Sequence, residues 1–216
     1  MRTAVLASGG GSNLQSLIDT AARGGLDPAT LVVVGANKAG CGALARAEEA
    51  KIPTFLLNHK DYPSREAFDQ ALVDALRAHR VELVVLAGFM RIVTSTFLSA
   101  FPQRVLNIHP ALLPAFPGVH AQKQAFEYGV KVAGCTVHFV DSGTDTGPII
   151  AQAVVPVLDD DTEDTLQQRI LSEEHRIFPA VVKAVAEGRV RVDGRRVHIA
   201  TPKGLTEQRL RSIEGI

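Results

Sequence analysis

"LASGGGSNLQSLI", Leu6 to Ile18, reads as the end of an apolar strand, a turn of small residues and the start of an amphipathic helix. Ser8 to Gly11 leave the strand, Ser12 or Asn13 opens the helix, and Leu14, Leu17 and Ile18 fall on its buried side. The alternation continues downstream. Short apolar runs, "TAVLA" (3–7), "LVVVGAN" (31–37), "PTFLLN" (53–58), "ELVVLAG" (82–88) and "RVLNIH" (104–109), are separated by amphipathic or mixed segments. The clearest helix is Ser64 to His79, with Phe68, Leu72 and Leu76 on one face. This pattern predicts an α/β fold: a mostly parallel twisted sheet with helices on both faces.

Past Gly118 the pattern changes. A helix near His120–Tyr128 leads to "VAGCTVHFV" and "GPIIAQAVVPV", joined by the turn-rich "DSGTDTG" and expected as antiparallel strands added toward the C-terminus. "DDDTED" then supplies an N-cap and an acidic first turn for a long helix ending near Glu187. "GRVRVDGRRVHIA" reads as a hairpin turning at Asp193-Gly194.

With 216 residues, 46% of them hydrophobic, the chain can bury one sizeable core, and a single domain is expected. Its 23 basic and 23 acidic residues balance, which argues against nucleic acid or an anionic membrane as partner and favours small molecules. The opening "MRTAVLASGGG" is too short an apolar run for a signal peptide, so the cytoplasm is the expected location. Cys41 and Cys135 lack ligand-like spacing and are expected as free thiols, with no metal site. A homodimer is compatible with all of this.

Three places could carry chemistry. The glycine turn presents unpaired N–H groups at a helix N-terminus, where an anion binds. Leu14 occupies the third glycine position of a dinucleotide fingerprint, and Asn37 ends the second strand where such folds carry an acid, so a single phosphate fits better than NAD. No Gly-Lys-Ser/Thr follows, which excludes a P-loop. The alternative is a tight turn that simply needs small residues.

In "RVLNIHPALLPAFPG", Arg104 to Gly118, period two puts Val105, Asn107 and His109 on one face. An amide and an imidazolium side by side at a strand's carboxyl end form a donor pair suited to a developing oxyanion. Asp145, in "DSGTDTGPII", lies on a turn; if that loop folds over the fifth strand, its carboxylate pairs with His109 and raises its pKa above the usual 6.5 or so. His120, His138 and His175 read as structural or supporting residues.

On "SGGGSNLQ", "LAGFMRI", "NIHPALLPAFPG", "TVHFVD", "DTGPII" and "EEHRIFP", the chain resembles the folate-dependent glycinamide ribonucleotide formyltransferases, from the N-terminus to about Pro179. The resemblance implies a Rossmann-like formyltransferase fold, with 10-formyltetrahydrofolate as co-substrate and no metal. It implies Asn107 and His109 as oxyanion and proton-transfer groups and Asp145 as the residue tuning His109. Gly11, Ser12 and Asn13 align with the ribonucleotide phosphate loop, and Glu174 with the residue meeting the glycinamide end. Arg65, Met90, Arg91, Ile92 and Val93, Asn107, and Asp141, Ser142, Gly143, Thr144 and Asp145 align with the folate pocket. Gln122 stands where related sequences carry another His, and Ser142 and Thr144 make the folate loop more polar.

The implied organisation is a nucleotide-binding part (1–100), a catalytic and folate-binding part (101–187) and a tail (188–216) without an assigned role. Methionyl-tRNA formyltransferase and formyltetrahydrofolate hydrolase share the Asn-His-Asp set but normally carry a further domain. A noncatalytic nucleotide-binding module would need the glycine loop alone.

Overall fold

Strand β1 (Arg2–Ala7) runs between β2 (Thr30–Ala36) and β4 (Leu83–Leu86), parallel to both. The structure, a computed structural model, describes residues 1–201. Beyond β2 lies the short β3 (Thr54–Leu56), and beyond β4 come β5 (Val105–His109), β6 (Val132–Phe139) and β7 (Ile149–Pro156). The sheet order β3-β2-β1-β4-β5-β6-β7 is parallel as far as β5, with β6 and β7 antiparallel, as the sequence predicts.

Side chains alternate between two cores. Val5 and Ala7 of β1 face one side, which is covered by Leu14 and Leu17 of α1 (Ser12–Ala22), Ala43 and Ala47 of α2 (Gly42–Glu49) and Phe178 and Val182 of the long C-terminal helix Glu163–Ala186. Ala4 and Leu6 face the other, with Phe68, Leu72 and Leu76 of α3 (Arg65–Ala78) and Phe97 of α4 (Ser95–Ala100). Burial on both faces is why these strands are nearly all apolar.

The chain order reverses at β1. From there it steps outward to β2 and β3, then returns to β4 on the other side, so the loops after β1 and β4 diverge from one point above the strand ends. Ligands in open α/β sheets bind at such a point. Here the two loops are tied together: Ser8 N–H donates to the Gly88 carbonyl (3.1 Å) and Met90 N–H to the Ser8 hydroxyl (2.8 Å).

After α5 (Ala121–Tyr128), the β5–β6 ladder sets Asn107 opposite His138 and His109 opposite Thr136. Buried Thr136 holds the segment after β5, accepting from Leu113 N–H (3.0 Å) and donating to the Ala111 carbonyl (2.7 Å). The β6–β7 register shifts between Val137 and His138, and a Cβ on Gly147 would collide with the Phe139 carbonyl. That glycine lets the 141–147 loop fold back tightly.

The long helix, α6 (Glu163–Ala186), starts at Thr162 with a reciprocal cap to Thr165 and an acidic first turn, Glu163 and Asp164. β8 (Val190–Asp193) and β9 (Arg196–Ile199) form the expected hairpin, but Asp193 still pairs with Arg196. Its two-residue turn is therefore Gly194-Arg195, one position later than the sequence suggests. Gly194 takes the left-handed φ (57°) that the tight turn demands. Residues 202–216 of the tail lie outside the described residues.

Candidate active site

The glycine loop is shaped by α2. A Cβ on Gly11 would stand 2.7 Å from Ala43 Cα, and the residue has φ +78°. The Gly9 carbonyl accepts from Ala43 N–H (3.2 Å) and Cys41 Sγ (3.0 Å), and the Gly10 carbonyl from Arg46 Nε (2.8 Å). With those carbonyls engaged by α2, the unpaired N–H groups at the start of α1 remain for an anion. Gly11 caps α1 without any side-chain hydrogen bond. The glycine at this position is thus required first by helix packing, not by the ligand.

Asn37 is not available to a ribose. It is buried, accepts from the Ser8 hydroxyl (2.6 Å) and lies 3.3 Å from His59 Nδ1 through its amide nitrogen.

At the start of α1, Asn13 Nδ2 donates to Glu174 Oε2 (2.7 Å), while Asn13 Oδ1 is buried with no partner among the described residues. Burial pushes the Glu174 carboxyl up to about 7, only partly offset by the Asn13 hydrogen bond. Behind it, burial and then the Glu174 and Glu173 charges push the Cys135 thiol up to about 12, so this cysteine stays protonated. Cys41 is likewise a buried free thiol.

At the end of β5 the expected set meets. His109 Nδ1 lies 3.4 Å from Asp145 Oδ2, and Gly118 N–H donates to the same oxygen (2.8 Å). His109 Nε2 sits 2.8 Å from the Phe116 carbonyl. The expected rise in the His109 pKa does not occur: it lies below the ordinary value. Burial lowers it by more than the Phe116 carbonyl and the Asp145 carboxylate raise it, and His138 lowers it further. Burial also raises Asp145, but the contact with His138, the Gly118 N–H and the His109 charge outweigh it and hold the carboxyl below its usual range.

His138, expected as a structural or supporting residue, joins this set. It is 2% exposed, its Nδ1 lies 2.8 Å from the Phe139 carbonyl, and its Nε2 lies 3.1 Å from Asn107 Nδ2 and 3.7 Å from Asp145 Oδ1. A carbonyl only accepts, so Nδ1–H donates to Phe139, and the Asn107 amide turns its NH₂ end toward Nε2. "TVHFV" repeats the alternation of "LNIH", with Thr136 and His138 on one face. That alternation places His138 on the face that Asn107 and His109 share with it across the ladder.

Of the segments aligned with a folate pocket, Met90 (63% exposed) and Ile92 (54%) form an apolar ledge after β4. Arg65 reaches it from the start of α3, its Nη2 donating to the Ile92 carbonyl (2.9 Å). Arg91 is half-buried, whereas Val93 turns its side chain into the α3–α4 core. Asp141 orders the other loop, accepting from Gly143 N–H (3.1 Å) and the Thr146 hydroxyl (2.7 Å), while Ser142, Gly143 and Thr144 are exposed. His120 is exposed at the N-cap of α5 and lies outside this cluster; His175 Nε2, beside α1, is buried without a partner among the described residues.

Residues 1–182 match the model of the formyl transferase family. The chain belongs to that family. Among formyl transferase relatives, the phosphoribosylglycinamide formyltransferase of Mycobacterium tuberculosis is 54% identical over 194 residues, 90% of this chain and 89% of the relative. The trifunctional purine biosynthetic protein adenosine-3 of Drosophila melanogaster is 52% identical over 190 residues, but the chain spans only 14% of that protein's length. Glycinamide ribonucleotide transformylase 1 from Symbiobacterium toebii has a similar solved structure, with a TM-score of 0.90, 53% identity, and coverage of 93% of this chain and 94% of that one. Among the described residues, no helix is long and apolar enough to cross a membrane.

Proposed function

We propose that this formyl transferase moves the formyl group of 10-formyltetrahydrofolate to the amine of N1-(5-phospho-D-ribosyl)glycinamide in purine biosynthesis, acting on small molecules in the cytoplasm. One observation carries the reading: Asn107, His109 and Asp145 converge at the end of β5, at the same edge of the sheet as the loop after β1, whose N–H groups at the start of α1 suit one phosphate. The names of its relatives point to the same reaction.

The residues divide the work by position. Gly11, Ser12 and Asn13 hold the ribonucleotide phosphate at the α1 N-terminus, and Glu174 meets the glycinamide end. Met90 and Ile92 offer apolar surface to the folate ring system, flanked by the backbone of Arg91 and Val93 and the 141–145 loop, and Arg65 a cation for its carboxylates. Attack of the amine on the formyl carbon makes a tetrahedral centre bearing a negative oxygen. The Asn107 amide has a second N–H to donate to it, the first being held by His138.

Burial holds the His109 pKa below its ordinary value, which suits the ring to take the proton that the attacking amine must lose. In the free protein Nε2–H donates to the Phe116 carbonyl, so the ring accepts the amine proton at Nε2 once that carbonyl yields its place and the ring proton sits on Nδ1, facing Asp145 Oδ2. Asp145 then stabilises the imidazolium, which hands the proton to the departing folate nitrogen as the C–N bond breaks. One proton enters the ring and one leaves, so the cycle closes without a redox partner or a metal.

The test is a spectrophotometric assay of purified protein with both substrates. Tetrahydrofolate should appear only when the ribonucleotide amine is present, and EDTA should not slow it. Equal folate release without the amine would make this a hydrolase, and no release under any condition would leave a binding module.

A further inference from the structure

One charged group beside the phosphate loop has no role in that scheme. Arg46 of α2 is half-buried, with Nε donating to the Gly10 carbonyl (2.8 Å) and Nη1 to Gln15 Oε1 (3.0 Å). Those two bonds fix the guanidinium plane, yet among the described residues no carboxylate forms an ion pair with it. A half-buried cation with two neutral hydrogen-bond partners has lost part of its hydration without gaining a counter-charge. It also shares with Ser12 the wall of a groove of about 440 Å³ along α1. Its remaining N–H groups meet no acceptor among the described residues.

We propose that Arg46 is a specificity residue for the phosphate, a reading that rests on the formyl-transfer scheme above. Its charge complements an anion held at the α1 N-terminus, where the helix itself supplies only about half a unit of positive charge. Its grip on the Gly10 carbonyl keeps that oxygen turned away from the bound anion. Arginine suits both tasks together, because its rigid fork can bond the loop and still present donors to a phosphate. A full fixed cation also favours the phosphate dianion over the monoanion, which interconvert near pH 6 or so.

The experiment compares wild type, Arg46→Gln and Arg46→Lys for the KM of each substrate, for competitive inhibition by inorganic phosphate, and for melting temperature. Arg46→Gln should raise the ribonucleotide KM and the phosphate inhibition constant together, by roughly 10- to 100-fold as expected for a lost charge-assisted bond. The folate KM should stay within about twofold, and the ribonucleotide KM of the variant should lose its rise below about pH 6. Arg46→Lys should recover part of the phosphate affinity. Equal damage by Gln and Lys with unchanged phosphate inhibition would overturn the proposal and leave Arg46 as a loop brace.

If the wild type turns over no ribonucleotide, the formyl-transfer reading fails separately. Equilibrium dialysis with inorganic phosphate then still reads Arg46. Weaker binding by Arg46→Gln supports the assignment, and equal binding overturns it.

Discussion

His138 Nε2 lies 3.1 Å from Asn107 Nδ2, across the ladder pair that the β5–β6 register creates. This contact decides which way the Asn107 amide faces, because an acceptor at that point requires the NH₂ end. Replacing His138 with Phe keeps a ring in the buried site but removes the acceptor. The amide is then free to turn its oxygen toward the reacting centre. Turnover should fall by about 100-fold, the cost of a misplaced reacting group, with both substrate dissociation constants little changed. Loss of binding with turnover retained would show that His138 shapes the pocket and does not orient the amide.

Asp145→Asn should lower turnover by roughly 100-fold or more, because the imidazolium formed during transfer loses its counter-charge 3.4 Å away. The pKa of His109, already depressed by burial, should fall further, since Asp145 is one of the influences that raise it. NMR titration of the His109 ring measures this directly. A pKa that stays put while folate affinity collapses would move Asp145 from catalysis to loop ordering.

Glu174 links stability to pH. Its folded-state pKa of about 7 lies above the ordinary 4.5, so the folded protein binds a proton more tightly than the unfolded chain between those values. Stability therefore falls as pH rises through this window, by about 3 kcal/mol once the carboxyl is ionised in both states. Glu174→Gln removes the titration. In urea denaturation the variant should gain on wild type at pH 8 and not at pH 4, while binding the ribonucleotide more weakly.

The glycine loop offers a clean probe at Gly10 and a poor one at Gly11. A Cβ at Gly10 meets nothing within 4 Å, whereas at Gly11 it meets the Ala43 backbone. Gly10→Ala should keep the wild-type melting temperature and raise the ribonucleotide KM while sparing folate. Gly11→Val should destabilise the fold by about 1–3 kcal/mol through the strained φ and the displaced α2. A Gly11→Val protein with unchanged stability would contradict the packing account.

The sequence alone determined the order of strands and helices along the chain, the antiparallel strands after Gly118, the glycine turn that opens the first helix and the shared face of Asn107 and His109. Each is a matter of local spacing: side-chain direction repeats every two residues in a strand and about every 3.6 in a helix, whatever lies elsewhere. Only the tertiary structure decided the rest. Asn13 meets Glu174 across 161 positions of chain, and His138 reaches Asn107 because two strands pair in one register. The sign of the His109 shift was also beyond local reading. An adjacent carboxylate can be foreseen from a turn sequence, but the depth of burial that outweighs it depends on every segment packed around the ring.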